Sequence, residues 1–214
     1  MTGLRQWEGR RGNRSAKVIL LGESGVGKTS IFRRLKDGTF SGETTVTVGG
    51  EDQYDWEYRE GETAVTLRIH DTASREKKFG LGPSYYHGTS AVVLVYDVNQ
   101  AGTFEYMSDW FEMAKNSATL NAHYFLVGNK NDLRIKVNQE KVDDFIRTIN
   151  TDREYIREDW FFSVSCKTGD GVREAFEKIA RVINADPWPP QPEPVIVPHE
   201  VKNEKSRRKC CRTA

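Results

Sequence analysis

The sequence predicts an α/β fold: a six-stranded, mostly parallel sheet with one antiparallel hairpin and helices on both faces. Three observations carry this. Apolar runs of strand length alternate with amphipathic helical patterns along the chain, the order that builds a doubly wound sheet. Two alternating, aromatic-rich segments are separated only by Glu60-Gly61-Glu62, which reads as a hairpin. The first apolar run ends in a glycine-rich turn and passes directly into a helical pattern, which opens a strand–loop–helix unit.

The elements follow in order. Residues 1–15 read as a basic N-terminal arm, and residues 16–184 as one domain. AKVILLG, Ala16 to Gly22, is continuously apolar and suits a strand buried on both faces. Ile31, Phe32 and Leu35 mark a helix that stops at Asp37-Gly38. Residues 39–50 are Thr- and Gly-rich and read as loop. The hairpin joins EDQYDWEYR to TAVTLRIHD. SAVVLVYDV (Ser90 to Val98), HYFLVGN (His123 to Asn129) and DWFFSVS (Asp159 to Ser165) supply three further strands. Helical patterns cover Thr103 to Ala118, Gln139 to Asn150 and Gly171 to Asn184. In the last, Val172, Ala175, Phe176, Ile179, Ala180 and Ile183 form one apolar stripe, most simply core. From residue 185 the chain reads as a Pro-rich linker and a polybasic tail.

Composition narrows the function classes. The 32 Lys and Arg nearly cancel the 31 Asp and Glu, so bulk charge does not indicate a nucleic-acid partner. Three cysteines, Cys166, Cys210 and Cys211, lack disulfide spacing and suggest a reducing compartment. The N-terminus has no apolar signal segment and begins Met-Thr, without the myristoylation motif. No apolar run is long enough to span a bilayer. The four histidines show no metal-ligand spacing.

Two motifs carry chemistry. GESGVGKT, Gly22 to Thr29, fits the P-loop pattern between strand and helix. Gly25 and Gly27 let backbone N–H groups turn toward phosphate oxygens, and the helix N-terminus adds positive charge. Lys28 would reach the β- and γ-phosphates, and the Thr29 hydroxyl would ligate Mg²⁺. NKND, Asn129 to Asp132, follows a buried strand. A carboxylate there can accept from both N1–H and the exocyclic amine of guanine. Adenine would leave it unpaired, so such a site discriminates by about 10⁴ or more.

With these motifs the chain resembles the small GTPases of the Ras superfamily, and within them the Rab family. The resemblance spans about residues 16–184 and the chain's end. Its further marks are Asp71-Thr72-Ala73, Ser165-Cys166-Lys167, SYYHG (Ser84 to Gly88) and LVYDVN (Leu94 to Asn99). It implies a P-loop NTPase G domain that binds GTP or GDP with Mg²⁺. The implied phosphate set is Glu23, Ser24, Gly25, Val26, Gly27, Lys28, Thr29 and Ser30. Thr47 would be the switch threonine that ligates Mg²⁺ beside a γ-phosphate, and Asp71 would hold Mg²⁺ through water. Phe40 would lie against the guanine, with Lys130 and Lys167 flanking the ring. The Cys166 N–H would meet guanine O6, its side chain being a small buried hydrophobe, and Ser165 belongs to the same loop. Lys28, Thr47, Ser74 and Arg75 form the implied catalytic set.

Two departures stand out. The family pattern DTAGQE is here DTASRE, Asp71 to Glu76. Ser74 replaces a glycine free to change φ, and a serine at φ > 0 is strained. Arg75 replaces a glutamine that orients the attacking water. A glutamine amide both accepts and donates, whereas a guanidinium only donates. Slow intrinsic hydrolysis is the expectation. The other reading of Arg75 is a solvated charge on a surface loop. The second departure concerns partner recognition. Of three aromatics usual in Rabs, the first position falls at Asp52 and the second at His70, and only Tyr85 remains. Tyr54, Trp56 and Tyr58 either substitute for them or are the inward residues of a half-buried strand.

The tail, KNEKSRRKCCRTA, ends near Cys210 and Cys211 and resembles the doubly prenylated end of Rabs. Two lipid chains give stable anchoring where one does not, and the basic residues add attraction to anionic headgroups. A single-cysteine CRTA box ranks lower, because its middle positions are not aliphatic. The expected protein is a monomeric GTP/GDP switch in vesicle traffic on the cytoplasmic face of intracellular membranes, cycling with the cytosol. Its expected partners are an exchange factor, a GTPase-activating protein, a GDP-dissociation inhibitor or prenylation escort, and effectors. A GTP-binding adaptor with little or no hydrolysis is the alternative.

Overall fold

Eight consecutive residues, RSAKVILL, form the first strand because nothing polar interrupts their inner half. The computed structural model describes residues 14–42, 52–71, 83–118 and 121–185. β1 (Arg14–Leu21) lies between two strands, and Val18, Ile19, Leu20 and Leu21 are wholly buried. That is why its pattern is continuous and not alternating. It starts two residues earlier than the apolar run, because Arg14 and Ser15 pair with Val65 and Thr66.

α1 (Lys28–Asp37) buries Ile31 and Phe32. It ends at Gly38, whose φ of 65° and N–H bond to the Arg34 carbonyl (3.1 Å) make a left-handed cap. β2 (Asp52–Glu60) and β3 (Thr63–Asp71) form the expected antiparallel hairpin, with Gly61 supplying the positive φ of a two-residue turn. A short α2 (Pro83–Tyr86) precedes β4 (Thr89–Asp97). The sequence predicts one helix over residues 103–118; the structure has two, α3 (Ala101–Glu105) and α4 (Met107–Ser117). The Thr103 hydroxyl accepts from the Asp97 N–H (3.0 Å) and donates to the Gln100 carbonyl (2.7 Å). That ties α3 to the end of β4, and the chain breaks at Tyr106 before α4 continues.

β5 (His123–Asn129) is followed by α5 (Gln139–Ile149), capped by Asn138. β6 is shorter than expected, Phe161–Val164, because Glu158–Trp160 form a 3₁₀ turn. α6 (Val172–Ala185) buries the whole stripe read from the sequence.

The sheet order is β2-β3-β1-β4-β5-β6, with only β2–β3 antiparallel. α1 and α6 pack together and against β3, while α4 packs on the opposite face against β4 and α2. Register pairs Leu21 with Leu94, Asp97 with Asn129, and Asn129 with Val164. The loops after β1, β4, β5 and β6 therefore leave the sheet along one edge, where such folds bind ligands.

Candidate functional site

The turn after β1 needs its glycines for closeness as well as conformation. Gly22 has φ 147°, and a Cβ there would lie 2.1 Å from the Val95 carbonyl oxygen. Gly27 has φ 105°, and its Cβ would lie 2.2 Å from Asn129 Nδ2. The loop is thus pressed against β4 on one side and β5 on the other. Lys28 is buried, and its Nζ donates to the Gly22 carbonyl (2.5 Å) and the Glu23 carbonyl (3.1 Å). The ammonium is held inside the loop that would cradle phosphate. Glu23 Oε1 accepts from Trp110 Nε1 of α4 at 3.1 Å, which fixes the loop's first turn to the opposite helical layer.

Asn129 joins the two halves of the site. Its Nδ2 donates to the Val26 carbonyl (2.8 Å) in the P-loop, and its Oδ1 accepts from the Cys166 N–H (3.1 Å). Both bonds are buried, so the amide works as a staple within the protein. The Cys166 N–H assigned by resemblance to guanine O6 is the one that Asn129 holds. Lys130 takes a positive φ of 69°, and its Nζ donates to the Gly25 carbonyl (2.7 Å) and pairs with buried Asp97 (2.7 Å). Asp132 Oδ1 accepts from Ser165 Oγ at 2.6 Å, and Lys167 Nζ stands 3.7 Å from Oδ2. Ser165 Oγ also accepts from the Thr168 N–H (3.2 Å). The Cys166 thiol is buried, and burial pushes it up to about 12.

Sequence reasoning did not single out Trp110, Asp97 or Arg34. Asp97 lies within the quoted LVYDVN, but its partner Lys130 is on another strand's end. Arg34 looks like an ordinary basic residue near a helix C-terminus. Phe40 sits in the irregular stretch 39–42 and is 39% exposed; among the described residues no ring contact ties it to the Asn129 loop. Thr47, Ser74, Arg75, Cys210 and Cys211 lie outside the described residues.

The alternating aromatics of β2 face inward. Trp56 is buried and stacks on Tyr58 at 6.2 Å, while Tyr54 meets Phe32 edge-on at 6.3 Å. Arg181 Nε covers Tyr58 by donating to its hydroxyl (2.7 Å). These rings serve the half-buried strand. His70 is also buried, edge-on to Tyr85 at 6.3 Å. Burial, aided by the Lys17 and Arg68 cations, lowers its pKa to about 4.

Comparison with known proteins now decides the family. The Ras family model matches residues 17–185. A Ras-related protein RabF1 of Dictyostelium discoideum is 39% identical over 166 residues, 78% of this chain and 83% of the relative. A Ras-related protein Rab-18-B of Danio rerio is 37% identical over 203 residues, covering 91% and 92%. A Ras-related protein Rab-5B of Plasmodium falciparum is 35% identical over 165 residues, covering 77% and 75%.

The chain is a Rab-family small GTPase of the Ras superfamily.

Ras-family proteins bind GTP and GDP with Mg²⁺ and are GTPases, and the Rab site here fits those groups. The Thr29 hydroxyl opens α1 beside the P-loop, and the fully buried Asp71 carboxylate ends β3, whose His70 pairs with Ile19 of β1. Among the described residues there is no cluster of three or more His, Cys, Asp or Glu that could hold a metal. A hydroxyl and one carboxylate suit Mg²⁺, which keeps waters and takes substrate phosphate oxygens as further ligands. No helix among the described residues is long and apolar enough to cross a membrane. Rab proteins associate with intracellular membranes peripherally and work with exchange factors, activating proteins, dissociation inhibitors and effectors.

Proposed function

We propose that this Rab is a membrane-tethered GTP/GDP switch in vesicle traffic whose intrinsic hydrolysis is slow. The observation that supports it most is the Asn129 staple, which puts the P-loop and the Ser165–Lys167 loop in one rigid site. A nucleotide is then gripped at both ends. The P-loop backbone from Glu23 to Ser30, with Lys28, takes the phosphates, and Thr29, Thr47 and Asp71 take Mg²⁺. Asp132 selects guanine, positioned by Ser165, while Lys130, Lys167 and Phe40 border the ring; the Cys166 N–H, expected on guanine O6, is engaged by Asn129 Oδ1. Asn129 acts by holding these parts together.

Lys28 would neutralise charge on the phosphates as the γ-phosphoryl leaves, and Mg²⁺ held by Thr29, Thr47 and Asp71 would supply further positive charge there. What the chain lacks is the glutamine that holds the attacking water. Arg75 can add positive charge near the reacting phosphoryl, but it cannot accept a water proton. Ser74 further restricts the loop from closing on the γ-phosphate. The protein therefore stays in its GTP form longer, unless a partner supplies a water-positioning group from outside. In a single-turnover assay on protein loaded with GTP, Arg75→Gln is expected to hydrolyse at least about tenfold faster, since a water-positioning residue contributes a substantial share of the barrier reduction. An unchanged rate would refute the assignment. The adaptor reading, GTP held with no useful turnover, rests on the same two residues and predicts no hydrolysis even with added activating protein.

Tethering rests on Cys210 and Cys211 as prenylated residues behind the basic KSRRK. Replacing both with serine is expected to move the protein from the membrane pellet to the soluble fraction; retention in the pellet would count against lipid anchoring.

A further inference from the structure

Arg34 uses every nitrogen of its guanidinium to hold backbone carbonyls. Nε and Nη2 both donate to the Cys166 carbonyl, at 2.9 and 2.6 Å. Nη2 also reaches the Lys167 carbonyl at 2.8 Å, and Nη1 the Gly38 carbonyl at 2.7 Å. The Gly38 bond alone is what a basic residue in the last turn of a helix ordinarily makes. The others cross 132 or 133 residues of sequence and land on the loop that carries Ser165 and Cys166.

That loop is closed on itself but needs orienting. Gly169 N–H donates to the Ser165 carbonyl (2.8 Å) and Ser165 N–H to the Asp170 carbonyl (2.9 Å). Asn129 and Arg34 grip the loop on either side of Cys166: Asn129 holds its N–H, and Arg34 holds its carbonyl. The orientation matters for the base, because Ser165 Oγ sets Asp132 Oδ1 at 2.6 Å. Only a planar fork can meet three carbonyls from two directions. A lysine ammonium on a flexible stem could satisfy one of them at a time.

We infer that Arg34 is a positioning residue for guanine recognition, clamping the Ser165–Lys167 loop to the C-terminus of α1 so that Asp132 stays aligned on the base. The inference rests on reading Asp132 as the guanine-selecting carboxylate. Arg34 itself bonds backbone carbonyls. Its loss acts through the loop, and so bears on base discrimination more than on phosphate grip.

The test measures release of GDP and of IDP from the full chain, wild type against Arg34→Ala and Arg34→Lys, with dissociation constants for both nucleotides. IDP lacks the exocyclic amine and so forgoes one of the two bonds to Asp132, while keeping the ribose and phosphates. Arg34→Ala is expected to release GDP about tenfold faster, the scale of losing charge-assisted hydrogen bonds. The preference for GDP over IDP is expected to shrink severalfold, with Arg34→Lys between the two. Arg34→Lys carries the test if the alanine variant does not fold. Equal acceleration of GDP and IDP would mean general loosening and would overturn the proposal, as would release rates and a preference unchanged from wild type. A wild type that does not favour GDP over IDP would sink the guanine reading itself, and the proposal with it.

Discussion

At the scale of residues, this Rab's site is held together mostly by side chains that meet backbone groups. Asn129, Lys130 and Arg34 each bond to backbone carbonyls of neighbouring loops. Cys166 lies at the centre of this arrangement with its thiol buried and its pKa pushed up to about 12. At pH 8 about one thiol in ten thousand is then the reactive thiolate. Iodoacetamide is therefore expected to leave Cys166 unlabelled in the folded protein and to label it once urea is added, read by peptide mass spectrometry. Rapid labelling in native buffer would contradict the burial. The motif residues were legible in the sequence because each motif is contiguous: GESGVGKT and NKND stand out by their pattern and position, and SCK by its resemblance to the family's loop. Arg34 and Trp110 were not legible, because their partners lie 132 and 87 residues away. Nothing local to either residue says which carbonyl or carboxylate it will meet.

At the scale of elements, the glycines at strand ends set how closely the layers approach. Gly128, one residue before Asn129, would place a Cβ 2.7 Å from the Tyr96 hydroxyl and 2.9 Å from Val98 Cγ1. Tyr96 is buried, and its ring packs against Phe104 at 4.8 Å, so it has little room to move. Gly128→Ala is expected to cost about 1–3 kcal/mol of stability by overpacking. It should also raise nucleotide release, since Asn129 is displaced with the strand. Urea unfolding with bound GDP measures the first effect; a cost below about 0.5 kcal/mol would mean the strands separate freely there. The strands themselves were readable from apolar runs, and their ends moved by only a few residues. The split into α3 and α4 was not readable. The Thr103 hydroxyl bonds to Asp97 across a strand–helix junction, and helical periodicity continues through the break.

At the scale of the whole molecule, alternation of strands and helices was enough to predict a mostly parallel sheet with one hairpin, because crossovers of this kind have few other solutions. The order β2-β3-β1-β4-β5-β6 then carries the P-loop, NKND and SCK loops to one edge. The proposed phosphate grip and guanine grip thus sit at one edge of the sheet, joined by Asn129. Alternation of aromatics in β2 suits both a core strand and a docking strip; Trp56 is buried, while Tyr54 packs edge-on against Phe32 and Tyr58 is half-buried beneath Arg181. The central claim is guanine-nucleotide binding, with hydrolysis limited by Arg75. The most direct measurement extracts the nucleotide that co-purifies with the full chain, identifies it by chromatography, and follows it with time after the bound pool is converted to GTP. The account predicts an equimolar guanine nucleotide and slow conversion of GTP to GDP. An adenine nucleotide, no bound nucleotide, or GTP turnover as fast as that of Arg75→Gln would contradict it.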